Sequence, residues 1–255
     1  MPNHDHVVAG DVPRHPENVL PLVNADRLLP VPQHVAVILD GNRRWAEMHD
    51  APAVKAYRLG AARVRELMIA CDDAQIPFVT VWALSRDNLR RGAPSVQVIA
   101  QAVATELVAM AETRRWRIRL LGSTADLPAE VARIVREVER GTADCAGAVL
   151  NVAVAYSGRS DIAAAASALL TDARTAHPDA AEVEQRLARG LSTAGQPDID
   201  LLIRTAGEQR LSDFMLWQAA HAELYFTETL WPDFESKHFE LALHWYGQRQ
   251  RRYGE

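Results

Sequence analysis

The chain has 255 residues and a mass of 28.2 kDa, with 48% apolar and 24% charged residues, which is material for one well-packed globular domain. A net charge of −5 and a pI near 6.0 exclude a general nucleic-acid binder, whose footprint is a basic excess, so any bound anion must be met by local charge. Two cysteines far apart, Cys71 and Cys145, exclude a disulfide framework or a zinc spacing and read as core thiols in a reducing, cytoplasmic compartment.

Residues 1–30 carry His, Asp, Pro and Asn without the continuous apolar run of a signal peptide, and read as a flexible arm before a domain over 31–255. Short apolar runs, dense in β-branched residues, follow at 34–39 (HVAVIL), 78–84 (FVTVWAL), 118–121 (IRLL), 149–155 (VLNVAVA) and 199–203 (IDLLI). Helical stretches at 53–74, 95–113, 128–140 and 160–175 lie between them. This alternation predicts a single-domain α/β fold with a mostly parallel central sheet flanked by helices. The apolar runs are strand-sized, and none approaches the roughly 20 residues of a transmembrane span.

Ligands of such sheets collect beyond the carboxyl ends of the strands. That places interest on residues 40–45, 85–91, 156–161 and 204–213, all rich in groups that bind anions. In the first, Asp40, Gly41, Asn42, Arg43, Arg44 and Trp45 follow directly on a strand. A glycine permits close backbone approach, arginines supply bidentate donors, and an aspartate beside them can hold Mg²⁺ that bridges to phosphate. A strand-end turn with a capping Asp explains the same residues without a ligand. In the last, Arg204 and Arg210 with Ser212 can surround one diphosphate from several sides. Glu223 sits in the apolar run FMLWQAAHAELYF, where a carboxylate needs a partner. The alternatives there are an arginine ion pair, or a metal or diphosphate role. There is no Walker loop, GxGxxG, DDxxD pair or nucleophile elbow, so nucleotide cradles, aspartate-rich trans-prenyl machinery and acyl-enzyme chemistry are not indicated.

The segments HVAVILDGNRRWAE, VTVWALSRDNLRR, NVAVAYSGRSDI and LLIRTAGEQRLSDFMLWQAAHAELYFTETLWPDF resemble, in order and spacing, those of the cis-prenyltransferases, the family of undecaprenyl diphosphate synthase. The resemblance runs from about His34 to the C-terminus. It implies a hydrophobic substrate tunnel and a homodimer. It also implies an allylic prenyl diphosphate on Asp40 to Trp45 with Tyr57 and Arg58 nearby, Mg²⁺ as cofactor held by Asp40 and Glu223, and the isopentenyl or dimethylallyl diphosphate acceptor on Arg204, Arg210 and Ser212. Ser85, Asn88 and Arg91 match the loop that closes over the reacting ends, with Ser85 and Asn88 near the proton to be lost. Arg252 and Gly254 resemble the terminal Arg-x-Gly with which one subunit completes its partner's site.

Departures concentrate on the allylic side. The family usually has Gly at Arg43, Arg at Ala53, His and a basic residue at Tyr57 and Arg58, and Glu-Asn-Trp at Asp87, Asn88 and Leu89. They favour a specialised, secondary-metabolism synthase of altered regiochemistry, such as head-to-middle lavandulyl-type coupling, or of short product. Ordinary cis elongation with isopentenyl diphosphate and a non-catalytic partner subunit are the alternatives.

Overall fold

The computed structural model describes residues 30–171 and 179–250. The arm expected over residues 1–30, apart from Pro30, and the Arg252 and Gly254 tail lie outside these residues. The first apolar run forms β1 (His34–Ile38), in which all five residues are buried. It lies inside a six-stranded, wholly parallel sheet with β2 (Phe78–Ser85), β3 (Arg117–Gly122), β4 (Val149–Tyr156), β5 (Leu201–Arg204) and β6 (Glu223–Phe226), in the order β3-β4-β2-β1-β5-β6. Successive side chains of a strand point to opposite faces. Val35 and Val37 therefore join the larger core cluster, while Ala36 and Ile38 join a second cluster with Phe214, Met215 and Tyr156. A strand covered on both faces must be apolar wherever it has no polar partner, as β1 is after His34.

Seven α-helices occur among the described residues, six between strands and the last after β6: α1 (Asn42–Met48), α2 (Ala53–Asp73), α3 (Ala93–Glu112), α4 (Ala129–Gly141), α5 (Gly158–Thr171), α6 (Ala180–Gly190) and α7 (Ser236–Gly247). The five strands and four helices expected from periodicity are present, with ends shifted by up to two residues; the predicted helix end at 172–175 falls outside the description. Three helices, α1, α6 and α7, and one strand, β6, lie beyond those expected from periodicity. α6 is announced by Asp179, whose carboxylate accepts the Glu182 N–H at 2.8 Å, and α7 by a capping box between Glu235 and His238. β6 is only four residues long inside a longer apolar run, and pairing with β5 makes it a strand.

Two sequence expectations are corrected. α3 is a 20-residue apolar helix, long and apolar enough by length and composition to cross a membrane, so the apolar runs are not all strand-sized. Val96, Ile99, Ala100, Ala104, Leu107 and Met110 place that apolarity in the core. Of the two thiols, Cys71 is buried and its ionisation is pushed up by burial, but Cys145 is only half-buried and is no core residue.

A polar cluster crosses the sheet. His34 Nδ1 donates to the Pro197 carbonyl at 2.8 Å, which leaves Nε2 to accept from the Thr80 hydroxyl at 2.7 Å. Asn151 Nδ2 donates to Thr80 Oγ1 at 2.9 Å and to Gln196 Oε1 at 2.6 Å. Burial holds the imidazole pKa below its usual 6.5. The unfolded chain therefore takes up this proton first as pH falls, so the cluster's stability is complete above pH 6.5 and is lost as pH falls from 6.5 toward the lower folded value. Urea midpoints measured between pH 7.5 and about 5 should decline toward acid, by at most ~1.4 kcal/mol per pH unit from this group. His34→Gln should flatten that decline; an equal slope in both proteins would show that His34 does not drive it.

Candidate active site

From β1 the chain steps one way to β2, β4 and β3 and the other way to β5 and β6. The carboxyl ends of β1 and β5 thus flank the switch point of the sheet, where a crevice opens. Asp40 leaves the end of β1 and Arg204 ends β5. Arg204 Nη2 donates to Asp40 Oδ2 at 3.0 Å across that crevice. The arginine side chain is 5% exposed and the aspartate 36%. Arg204 Nη1 also donates to the Arg210 carbonyl and to Ser212 Oγ at 2.8 Å, while its Nε–H is buried without a partner among the described residues. A buried, undischarged guanidinium N–H beside a half-exposed carboxylate suits an anion that arrives with a cation.

The loop after β5 is forced into shape. Ala206, Ser212, Asp213 and Met215 all have positive φ, a conformation that side chains resist and that surrounding bonds must hold. Thr205 Oγ1 donates to the Asp40 carbonyl at 2.7 Å, and Asp213 accepts from Ser157 Oγ at 2.5 Å and from the Arg159 N–H at 2.9 Å. Three of the four strand ends singled out from sequence, those of β1, β4 and β5, are thereby tied together. Thr205 and Asp213 fall within the segment 204–213 but receive no role from sequence, because their importance lies in bonds across more than 50 residues.

On the β1 side, Gly41 has φ 106°, and its N–H donates to Asp40 Oδ1 at 2.8 Å. A Cβ there would come within 3.1 Å of Leu230 and Ala206. α1 then carries Arg43 and Arg44 exposed. With seven residues it has little macrodipole, so side-chain cations rather than the helix start must meet a phosphate here. Trp45 is a packing residue: it is buried, its indole N–H donates to Asp233 Oδ1 at 2.8 Å, and its ring stacks on His49 with centroids 4.1 Å apart. Asn42 donates Nδ2 to the Leu39 carbonyl at 3.0 Å and leaves Oδ1 buried without a partner among the described residues.

Ser85 ends β2, and its Oγ accepts the Asn88 N–H at 3.0 Å, opening a 3-10 turn over Asp87–Arg91. Both residues are half-buried; Arg91 is described by its backbone only. Arg58 is exposed on α2, and Arg210 is exposed with its guanidinium paired to Glu208. Glu223 is not brought to Asp40. It opens β6 level with Leu201 and Val35, five residues before Asp40, on the order of 15–20 Å away along and across the strands. It pairs instead with Arg249 at 3.1 Å, the ion pair that was the alternative from sequence.

Beneath Asn42 lies a cavity of about 60 Å³ between α2, α3 and the sheet. Leu39, Asn42 and Tyr57 line one end and Ile99, Val103, Glu106, Leu107 and Met110 its α3 wall, with Val81, Val152 and Trp231 completing it. By the measure in which one water needs about 10–15 Å³, this is room for about four to six non-hydrogen atoms, comparable with one isoprene unit. Gly60 is needed for the close approach of α2, since a Cβ there would fall 2.4 Å from Asn42 Oδ1 and 2.9 Å from the Trp231 ring.

Anion-binding groups at a switch point, above an apolar cavity, agree with the resemblance read from sequence. A family model described as putative undecaprenyl diphosphate synthase matches residues 38–254. The chain belongs to that family, the cis-prenyltransferases, and is a prenyltransferase. An isoprenyl transferase of Streptomyces avermitilis is 40% identical over 88% of this chain and 89% of its own length. A (2Z,6E)-farnesyl diphosphate synthase of Thermobifida fusca is 42% identical over 88% and 91%. Among solved structures, lavandulyl diphosphate synthase from Lavandula x intermedia, in complex with dimethylallyl diphosphate, superposes with a TM-score of 0.82 at 31% identity, over 88% of this prenyltransferase and 99% of that chain. A probable undecaprenyl diphosphate synthase from Campylobacter jejuni gives 0.73 at 26% identity, over 89% and 100%.

Proposed function

We propose that this prenyltransferase joins an allylic prenyl diphosphate to a C5 isoprenoid diphosphate and makes a short product. The observation that carries the reading is the Asp40–Arg204 pair at the sheet's switch point above an apolar cavity of about 60 Å³. The names of the relatives from Thermobifida fusca and of the short-chain Z-isoprenyl diphosphate synthase of Mycobacterium leprae, 42% identical, support a short chain.

No group of three or more His, Cys, Asp or Glu side chains is arranged to cage a metal among the described residues. Mg²⁺ does not need one, since it is commonly held by one or two carboxylates together with substrate phosphates. Asp40, half-exposed and with lone pairs beyond those used by Arg204 and Gly41, fits that role. Magnesium would supply charge neutralisation of the diphosphate as it leaves.

In this reading Arg43, Arg44 and Arg58 meet the allylic diphosphate, and Arg204, Arg210 and Ser212 the acceptor diphosphate. The allylic carbon–oxygen bond breaks and diphosphate departs, the acceptor alkene attacks the allylic carbon, and the adduct then gives up a proton to the departed diphosphate. The arginines stabilise the departing anion in a partly desolvated crevice, and Ser85 with Asn88 close over the reacting ends. Residues 31–255 act as one catalytic domain in a homodimer. Glu223, distant from Asp40 in its own chain, and the Arg252 and Gly254 tail serve a site shared between subunits.

Head-to-middle coupling is the second reading, favoured by the likeness to lavandulyl diphosphate synthase and by Ala53, Tyr57 and Arg43 on the allylic side. The purified protein with Mg²⁺ and dimethylallyl, geranyl or farnesyl diphosphate, each with and without isopentenyl diphosphate, separates the two. Linear Z products of few units, formed only with isopentenyl diphosphate, are the expected result. Branched alcohols from dimethylallyl diphosphate alone would establish the second reading, and long polyprenols would overturn the short-chain one.

A further inference from the structure

One charged side chain lines the otherwise apolar wall of the cavity. Ile99, Val103, Glu106 and Met110 follow one another at spacings of three and four, so they descend a single face of α3. α3 starts just beyond the carboxyl end of β2 and ends before the amino end of β3, so it runs against the strands. Glu106 is thirteen residues past Ala93, about 20 Å along the helix, remote from the end lined by Leu39, Asn42 and Tyr57.

Its side chain is 14% exposed. Oε1 lies 3.1 Å from Arg65 Nε on α2, but in a geometry that makes no hydrogen bond, and it is otherwise buried without a partner among the described residues. Burial raises the carboxyl pKa, with Glu66 adding to the rise and Arg65 opposing it. A fully satisfied structural ion pair would hydrogen-bond that oxygen rather than leave it 3.1 Å from the Arg65 guanidinium without one.

We propose that Glu106, with Arg65 behind it, is a specificity-determining residue that closes the deep end of the prenyl cavity and stops the growing chain. The proposal rests on the synthase reading above. A methyl-ended tail that reached Glu106 would strip the remaining solvation from a carboxyl group with one poorly aligned cation, while gaining only the burial of a few carbons. Growth past this level is therefore opposed by polarity as well as by space. The sequence carries the signal: a single acid on the apolar face of a helix, in register with Ile99 and Val103.

The test uses Glu106→Leu, which keeps the bulk and removes the charge, and Glu106→Ala, which also opens the space. Arg65 is 43% exposed, so its side chain can turn to solvent when Glu106 is gone, and thermal unfolding reports whether either variant is folded. With Mg²⁺, an allylic starter and isopentenyl diphosphate, the longest product should grow by at least one C5 unit in both variants. Binding of C10, C15 and C20 prenyl diphosphates is followed by calorimetry in parallel. The wild type should weaken by roughly tenfold or more at one step of that series, and Glu106→Leu should abolish the step. Unchanged product length and an unchanged binding step in folded variants overturn the proposal. A wild type that neither turns over nor binds any prenyl diphosphate overturns the synthase reading itself, and this assignment with it.

Discussion

Replacing Asp40 by alanine is expected to lower kcat/KM by roughly 10²–10³-fold, the range seen when one preorganised electrostatic group is removed from a reacting centre. Asp40 receives Arg204 and the Gly41 N–H and retains lone pairs on the open side of the crevice. Asp40→Asn keeps the shape and should lose nearly as much, because the charge and not the volume recruits a cation-bound diphosphate. The stability effect should be somewhat smaller. Arg204 keeps Ser212 and the Arg210 carbonyl, and the lost partner is half-exposed, so a cost of about 1–3 kcal/mol is expected. Steady-state kinetics beside urea unfolding separates the two quantities. Activity within tenfold of wild type would remove Asp40 from the chemistry.

Trp231→Ala should destabilise the protein by about 3–5 kcal/mol, a large share of the 5–15 kcal/mol that holds a typical domain. Trp231 is 1% exposed, its N–H donates to the Gly60 carbonyl at 2.7 Å, and its ring stacks on Phe234 with centroids 5.5 Å apart. Most of this is packing. Gly60 lies within α2, whose backbone ladder already uses that carbonyl, so Trp231→Phe should cost only about 1–2 kcal/mol. Denaturant midpoints for both variants check the order. Equal losses would mean that the hydrogen bond, not the ring, carries the stability.

The parts of the molecule that sequence disclosed are those with local causes. An apolar, β-branched run such as VAVI reads as an interior strand, and Asp40 after it lies at a strand's carboxyl end. α6 and α7 had local capping signals and were nonetheless passed over. β6 had none, since four residues become a strand only when β5 offers its edge. Trp45 shows the reverse failure. Next to Arg44 it reads as part of a binding segment, but helix geometry turns it inward to Asp233, 188 residues away.

Sequence alone determined the α/β class and the family, and placed Arg204, Arg210 and Ser212 in one segment just beyond a strand, because periodicity and motif spacing are written in neighbouring residues. Tertiary structure decided which of them touch. It joined Asp40 to Arg204 across 164 positions, kept Glu223 apart at the amino end of an unforeseen strand, and set Glu106 in the cavity wall. Those outcomes follow from strand order and register, which depend on how distant segments pack and which no local pattern encodes.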